Sequence, residues 1–296
     1  MTSQAKIPIS VIILARNEEK LIARAVGSVS FAEDIVVVDA FSTDKTKSIA
    51  TTLGARVVER TWTNFGDQRN FSLTVALCDW VLVLDADEAA TNPLELWLRE
   101  FFAKDLNKSS QYGYKIKRAE YLLGKRIYGA CWNPSYQDRF FRKDKAKYVG
   151  EIHEYPLVEG GMLLAPEEAI IEHNPSVTVE SFLEKMNRYT TVEAYDRYRQ
   201  GQRTSISHMC VVFFANWFKN FFNYGGYKDG RYGFVISLME AVSRTVRHIK
   251  LWQIQEMVKS GQEAQLPVNT IELGLSMHRK FEAGVLSKSN KSEKKR

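Results

Sequence analysis

The stretch that most constrains this chain is Trp80 to Glu88, W-V-L-V-L-D-A-D-E, where an apolar, strand-forming run opens directly onto three carboxylates. Such an unbroken β-branched and leucine run reads as a strand buried on both faces, which belongs in a parallel sheet between helices. Ligands of these sheets bind outside the carboxyl ends of the strands, and Asp85, Asp87 and Glu88 stand at that end. Carboxylates held so close repel one another unless a cation sits among them, and hard oxygen donors suit Mg²⁺ or Mn²⁺ bridging to phosphate. Taken alone, the spacing fits a metal–diphosphate site or a solvated acidic loop.

The residues before it repeat strand, turn and helix. Ile9 to Ala15 is a buried strand, Arg16-Asn17-Glu18-Glu19 a polar turn, and Lys20 to Val29 a helix with Leu21, Ile22, Ala25 and Val29 at helical spacing. A second strand, Ile35 to Val38, ends at Asp39 and leads into a helix carrying Ile49, Ala50 and Leu53, which Ser42 or Thr43 can cap and Gly54 can close. Ala55 to Glu59 is a third short strand. The alternation predicts a parallel sheet with right-handed crossovers.

Asp39 and Asp85 then share one sheet edge. An aspartate there either hydrogen-bonds a nucleobase or ribose or closes an Asx-turn. Neither strand is followed by G-x-G-x-x-G, which disfavours a dinucleotide cofactor. A helix starting near Gly66 places Gln68 and Arg69 toward the same edge, where an arginine can grip phosphate with two parallel bonds or serve as an ordinary surface residue.

In this order V-I-I-L-A-R-N-E-E (11–19), I-V-V-V-D-A-F-S-T-D-K-T (35–46), F-G-D-Q-R-N (65–70) and V-L-V-L-D-A-D-E (81–88) resemble the nucleotide-sugar-binding half of the family 2 glycosyltransferases. The resemblance implies an α/β GT-A fold, a Rossmann-like, mainly parallel sheet flanked by helices, with a helical C-terminal region. It implies further that Asp39 contacts the base, that Asn17 and Glu18 help bind the nucleotide sugar, and that Arg69 lies near the diphosphate. Asp85 would contact the ribose region and Asp87 would ligate Mg²⁺ or Mn²⁺. The loop D-A-F-S-T-D departs from the pattern, because many relatives carry a further acid or glycine where Ala40 or Phe41 stands.

The middle of the chain changes character. Tyr112 to Lys117 alternates like a half-exposed strand, Gln137 to Arg142 is another, and Ala169 to Glu172 ends at His173-Asn174-Pro175. With G-E-I-H-E at 150–154, these segments narrow the resemblance to bacterial lipopolysaccharide-core glucosyltransferases over most of residues 8–255. Inverting transfer needs a base to deprotonate the acceptor hydroxyl. The candidates are Glu154, Asp138, Glu151 and His153, with Glu154 ahead of Asp138. His173, at a strand end, fits a metal or phosphate ligand, or a histidine bonded to neighbouring backbone.

After Pro175 the pattern turns helical, which predicts a GT-A domain over 1–175, a basic aromatic region over 176–286 and a disordered tail over 287–296. Val177 to Arg199, Val211 to Phe222 and Phe234 to Lys250 are helical. Trp217, Phe218, Phe221 and Phe222 with Lys219, Arg244, Arg247 and Lys250 fit a membrane interface, and equally packing on the catalytic domain or on a second subunit. A formal charge of +6 and a pI near 9.0 imply an anionic partner. The resemblance makes that partner a UDP-sugar, with a glycan or glycolipid acceptor and no nucleic acid. Three cysteines, Cys78, Cys131 and Cys210, have no metal-site spacing and read as buried reduced thiols. Without a leader or a spanning run, the expected location is cytoplasmic or peripheral on the inner face of the cell membrane.

Two other classes compete. A metal-dependent phosphohydrolase also uses D-x-D after a strand, but usually with Thr or Val two places on, where this chain has Ala89. A noncatalytic membrane adaptor accounts for the C-terminal helices and leaves Asp39, Arg69 and Asp87 without a purpose.

Overall fold

The computed structural model describes residues 5–104, 111–132, 134–149, 154–175 and 178–262, so the expectations for Glu151, His153 and the 287–296 tail lie outside the described residues. The chain forms two compact units, Met1–Gly124 with Ser135–Ser176, and Lys125–Pro134 with Val177–Arg296.

In the first unit β1 (Ile7–Ala15), β2 (Ala32–Asp39), β3 (Arg56–Glu59) and β4 (Trp80–Asp85) pair in parallel in the order β3-β2-β1-β4. Between them run α1 (Ile22–Gly27), α2 (Thr46–Thr52) and α3 (Phe65–Val75). The strands alternate their contacts. Val11, Ile13, Leu82 and Leu84 pack with Ile22 and Val26 of α1 and with Leu94 and Leu98 of α4 (Asn92–Phe102). Ile12, Val38, Val81 and Val83 pack against Leu73 of α3 on the opposite face. Both faces are therefore covered, as the unbroken apolar runs require.

Past β4 the sheet turns mixed. After the short strand β5 (Glu88–Ala90), β6 (Gly113–Leu122) and β8 (Ser135–Arg142) form an antiparallel pair, and β8 lies antiparallel to β4. β7 (Lys125–Ile127) belongs to the second unit. β9 (Ala146–Val149) and β10 (Tyr155–Val158) make a separate hairpin, and β11 (Leu163–Leu164) pairs with β6. β12 (Ile170–His173) joins β6 in parallel and β5 antiparallel.

Two local expectations need correction. Neither Ser42 nor Thr43 caps α2, which begins at Thr46 with Lys45 at its N-cap and no side-chain cap; Asp44 Oδ1 accepts from the Thr46 backbone N–H at 2.9 Å. Nor are the thiols all buried, since Cys210 is exposed and Cys78 and Cys131 are half-buried.

The second unit is helical, with α5 (Val179–Arg199), α6 (Ile206–Phe218) and α7 (Arg231–Lys259). Asp229 accepts from the backbone N–H groups of Tyr128 (2.9 Å) and Gly129 (2.7 Å), which ties the 125–134 segment to the α6–α7 connection. Glycine is required at 233, where a Cβ would stand 1.8 Å from the Gly226 carbonyl oxygen. Among the described residues no helix is long and apolar enough to cross a membrane.

Candidate active site

Strand register builds the site. Asp39 pairs with Ala15 of β1 on one side, and Asp85 pairs with Leu14 on the other. The two acids thus end strands that flank β1, two strand spacings or about 10 Å apart.

The loops beside Asp39 are stitched together. Asp39 is fully buried and its Oδ2 accepts from the Ser42 backbone N–H at 2.7 Å. Ser42 Oγ in turn accepts from the Asn17 backbone N–H at 2.8 Å, and Asn17 Oδ1 accepts from the Thr43 N–H at 2.8 Å. The Glu18 N–H donates to Thr46 Oγ1 at 2.7 Å. Asn17 sits at φ 55°, a left-handed conformation that asparagine tolerates better than most residues. Asn17, Glu18 and Asp39 therefore first shape a rigid turn, and a carboxylate bonded in this way still has lone pairs for another donor.

The F-G-D-Q-R-N segment anchors the other side. Asn64 caps α3 by accepting from the Asp67 N–H at 2.8 Å, and Asp67 is ion-paired to Arg60 at 2.7 Å. Asn70 holds the Tyr148 backbone through two 2.9 Å bonds, one to its carbonyl and one from its N–H. Gln68 is buried and its Nε2 donates to the carbonyl of Arg60 at 3.4 Å, just past the end of β3, where the Arg60 N–H donates to the Asp39 carbonyl at 2.9 Å. Arg69 reaches the Asp85 side of the same edge. Its Nη2 donates to Asp85 Oδ1 at 3.0 Å, and its Nε lies 3.6 Å from Glu154 Oε1.

The cations expected among the bunched acids prove to be guanidinium groups for two of the three. Arg139 Nη2 donates to Asp85 Oδ2 at 2.8 Å and to Glu88 Oε1 at 2.6 Å. Arg118 bridges Glu88 (3.3 Å) and Glu120 (2.7 Å). The Asp85 N–H closes the turn onto Glu88 Oε2 at 2.9 Å. Burial opposes the charge on Arg139 and Arg69, but Asp85 and Glu88 beside the first and Asp85 beside the second outweigh it and hold both pKa values above the usual range.

Asp87 is treated differently. In the paired strands His173 stands opposite Glu88 on one side and Glu120 on the other. Its Nδ1 lies 2.5 Å from Glu120 Oε2, and its Nε2 faces Asp87 Oδ2 at 3.1 Å. Burial works against a charged ring, yet the bonds to Asp87 and Glu120 prevail and raise the His173 pKa to about 9. With one ring nitrogen committed to a carboxylate and the other facing Asp87, the ring has the orientation of a metal-ligating histidine. Among the described residues no group of three or more His, Cys, Asp or Glu is arranged to hold a metal ion.

Asp138 does not enter the network. It pairs across the strands with Lys115 at 2.9 Å. The register shifts between Tyr114 and Lys115, so Arg139 has no partner on β6 and stands at a bulge beside Asp138. The contributions of Arg139, Arg118 and Glu120 went unread in the sequence. Their one visible signal was a charged residue inside an otherwise buried strand, as in R-F-F-R, which requires a buried partner.

Two guanidinium donors within the cluster, Arg69 Nη1 and Arg139 Nε, are buried and have no acceptor. Buried donors are normally satisfied, and an anion is one complement for these two, although Arg126, Arg188 and Arg247 of the second unit also carry an orphan Nε.

A parallel β3-β2-β1-β4 half, extended by antiparallel strands and bearing acids at its carboxyl edge, defines a GT-A-type α/β protein. The chain belongs to glycosyl transferase family 2, whose sequence model matches residues 10–158. An uncharacterised glycosyltransferase of Rickettsia bellii is 30% identical over 268 residues, covering 83% of this chain and 86% of its own. The lipopolysaccharide core biosynthesis glycosyltransferase LpsC of Rhizobium meliloti is 26% identical over 256 residues, covering 84% and 93%. Among solved structures, S. aureus TarS in complex with UDP-GlcNAc aligns with a TM-score of 0.43 at 16% identity, over 88% of this chain and 94% of that one. The family match sets aside the phosphohydrolase and adaptor readings, and the chain is a transferase.

Proposed function

We propose that the chain transfers a hexose, with UDP-glucose as donor, to a hydroxyl of a saccharide or lipid-linked glycan such as a lipopolysaccharide core, inverting the anomeric centre. The observation that carries this reading is the convergence at one strand edge of the Asp87–His173 pair and the buried, acceptor-lacking Nη1 of Arg69. The relative named for lipopolysaccharide core biosynthesis supports the acceptor class.

Asp87 and His173 would hold a divalent ion, and two protein donors suit an ion whose other positions are filled by diphosphate oxygens and water. The imidazole in the donor set favours Mn²⁺ over Mg²⁺. Such an ion supplies neutralising charge to the departing diphosphate. Arg69 directs Nη1 at the same group, while its bonds to Asp85 hold it in place. Asp39 and the turn built on Asn17 and Glu18 form the shelf for base and ribose.

Glu154 takes the proton of the acceptor hydroxyl. That oxygen bonds to the anomeric carbon as the bond to the β-phosphate oxygen breaks, and the electron pair leaves with UDP. The Arg69 guanidinium beside Glu154 fixes the base relative to the diphosphate.

Calorimetric titration of UDP and UDP-glucose, with and without Mn²⁺, tests the reading. Metal-enhanced binding is expected, together with a rise in thermal stability, because a ligand that binds only the folded state stabilises it by mass action. A chain that responds to no nucleotide sugar under either condition would overturn it.

A further inference from the structure

We propose that the α6–α7 hairpin is a docking face for an anionic lipid bilayer. Val211, Phe214, Phe218 and Phe222 recur along one side of α6 and its continuation, and all are exposed. α6 itself carries no Asp, Glu, Lys or Arg. The neighbouring start of α7 exposes Phe234 and Leu238 in the same way. Rings expected from the sequence to supply the contact lie elsewhere: Trp217 and Phe221 are half-buried, stacked on each other at 5.4 Å and set edge-on to Phe234. They stiffen the hairpin from beneath.

The structure also reassigns the charge. Arg247 is buried against Glu193 at 2.6 Å, and Lys250 is bonded to Thr191 of α5 at 2.7 Å. The exposed cations Lys219, Lys228 and Arg231 cluster where the two helices connect, whereas Arg244 is half-buried and Lys259 is exposed at the far end of α7. From Gly201 to Gln255 the only carboxylates are Asp229 and Glu240. Each is 3% exposed, Asp229 taken up by backbone N–H groups and Glu240 facing the Trp132 indole N–H at 3.4 Å. This stretch therefore shows apolar surface and positive charge with no exposed negative charge, and the one partly exposed acid of α7, Glu256, lies at the far end of the helix, paired with Lys259 at 2.7 Å.

Charge selects the occupant. Symmetric pairing of this connection with that of a second copy would bring Lys219, Lys228 and Arg231 of both copies together with no exposed acid beside them. A bilayer supplies phosphate headgroups above an apolar layer, the order in which the hairpin arranges its cations and phenylalanines. Since no described helix is long and apolar enough to span, the contact is interfacial. A five-residue π-turn, Lys219–Asn223, continues α6 and carries Lys219 and Phe222 at the apex.

The inference stands apart from the donor chemistry, so its test contains no nucleotide. The full chain is sedimented with phosphatidylglycerol–phosphatidylethanolamine vesicles and with phosphatidylcholine vesicles, at low and high salt. Binding is expected to the anionic vesicles, weakened but not abolished by salt, because screening removes only the electrostatic part. F214S/F218S should lower partitioning by about tenfold or more through lost apolar contact, and K219E/K228E should weaken it and flatten its salt dependence. Quenching of the protein's tryptophan fluorescence by brominated lipid gives a readout on the wild type that needs no variant. Wild-type protein that ignores anionic vesicles overturns the proposal. So does unchanged binding by F214S/F218S, or light scattering showing a wild-type dimer that this double variant splits while neither form binds vesicles.

Discussion

Arg69 Nη2 donates to Asp85 Oδ1 at 3.0 Å while the Nε of the same guanidinium faces Glu154 Oε1 at 3.6 Å, so one side chain ties a strand-end acid to the candidate base. Only a planar fork with several donors can do this and still direct Nη1 at an anion. Arg69→Lys keeps the charge and removes the fork. Hydrogen bonds to charged groups are worth about 1.5–3 kcal/mol, so UDP affinity should fall by roughly tenfold or more. Calorimetry reads this directly, and an unchanged affinity would remove Arg69 from the diphosphate site.

The Asp87–His173 pair separates metal binding from folding. Both side chains keep some access to solvent, 21% and 15% exposed, whereas Glu88 is completely buried. Asp87→Asn and His173→Asn should therefore leave the fold in place and abolish the Mn²⁺ enhancement of UDP binding. Enhancement that survives in both variants would place the ion elsewhere.

Much of this site was legible because strand periodicity alone sets Asp39 and Asp85 at one edge. The apolar runs ending in those acids can pair only in register, and the register puts them on either side of β1. Glu120, Arg118 and Arg139 were not legible, because β6, β8 and β12 bring them in from distant parts of the chain by pairings that no local pattern encodes. For Asp85 and Glu88 the neutralising charge thus comes from arginines of α3, β6 and β8. A similar limit applied to the basic helices: helical spacing located Arg247 and Lys250, but only the packing of α5 on α7 shows that both are already engaged.

Glu88 marks where removing a charge should unfold rather than inactivate. It is fully buried and accepts from both Arg139 and Arg118. Breaking a buried pair by deleting one partner costs about 3–5 kcal/mol, because the remaining charge is left uncompensated. Glu88→Ala should show a loss of that order in urea denaturation of the first unit's transition. An effect within about 0.5 kcal/mol, the range for ordinary surface substitutions, would mean that Asp85 alone satisfies the arginines.

The assignment of the base rests on a substitution that keeps shape and removes proton acceptance. Glu154→Gln retains an oxygen that can face Arg69, so the link to Asp85 and the diphosphate site should persist. UDP-glucose affinity should change little, while turnover falls by about 10²-fold or more, the usual contribution of a positioned general base. Asp138→Asn supplies the comparison, since its carboxylate is engaged with Lys115 at 2.9 Å and its loss should affect turnover only weakly. Single-turnover measurements with donor prebound isolate the chemical step. A full rate in Glu154→Gln with a large loss in Asp138→Asn would move the base to β8.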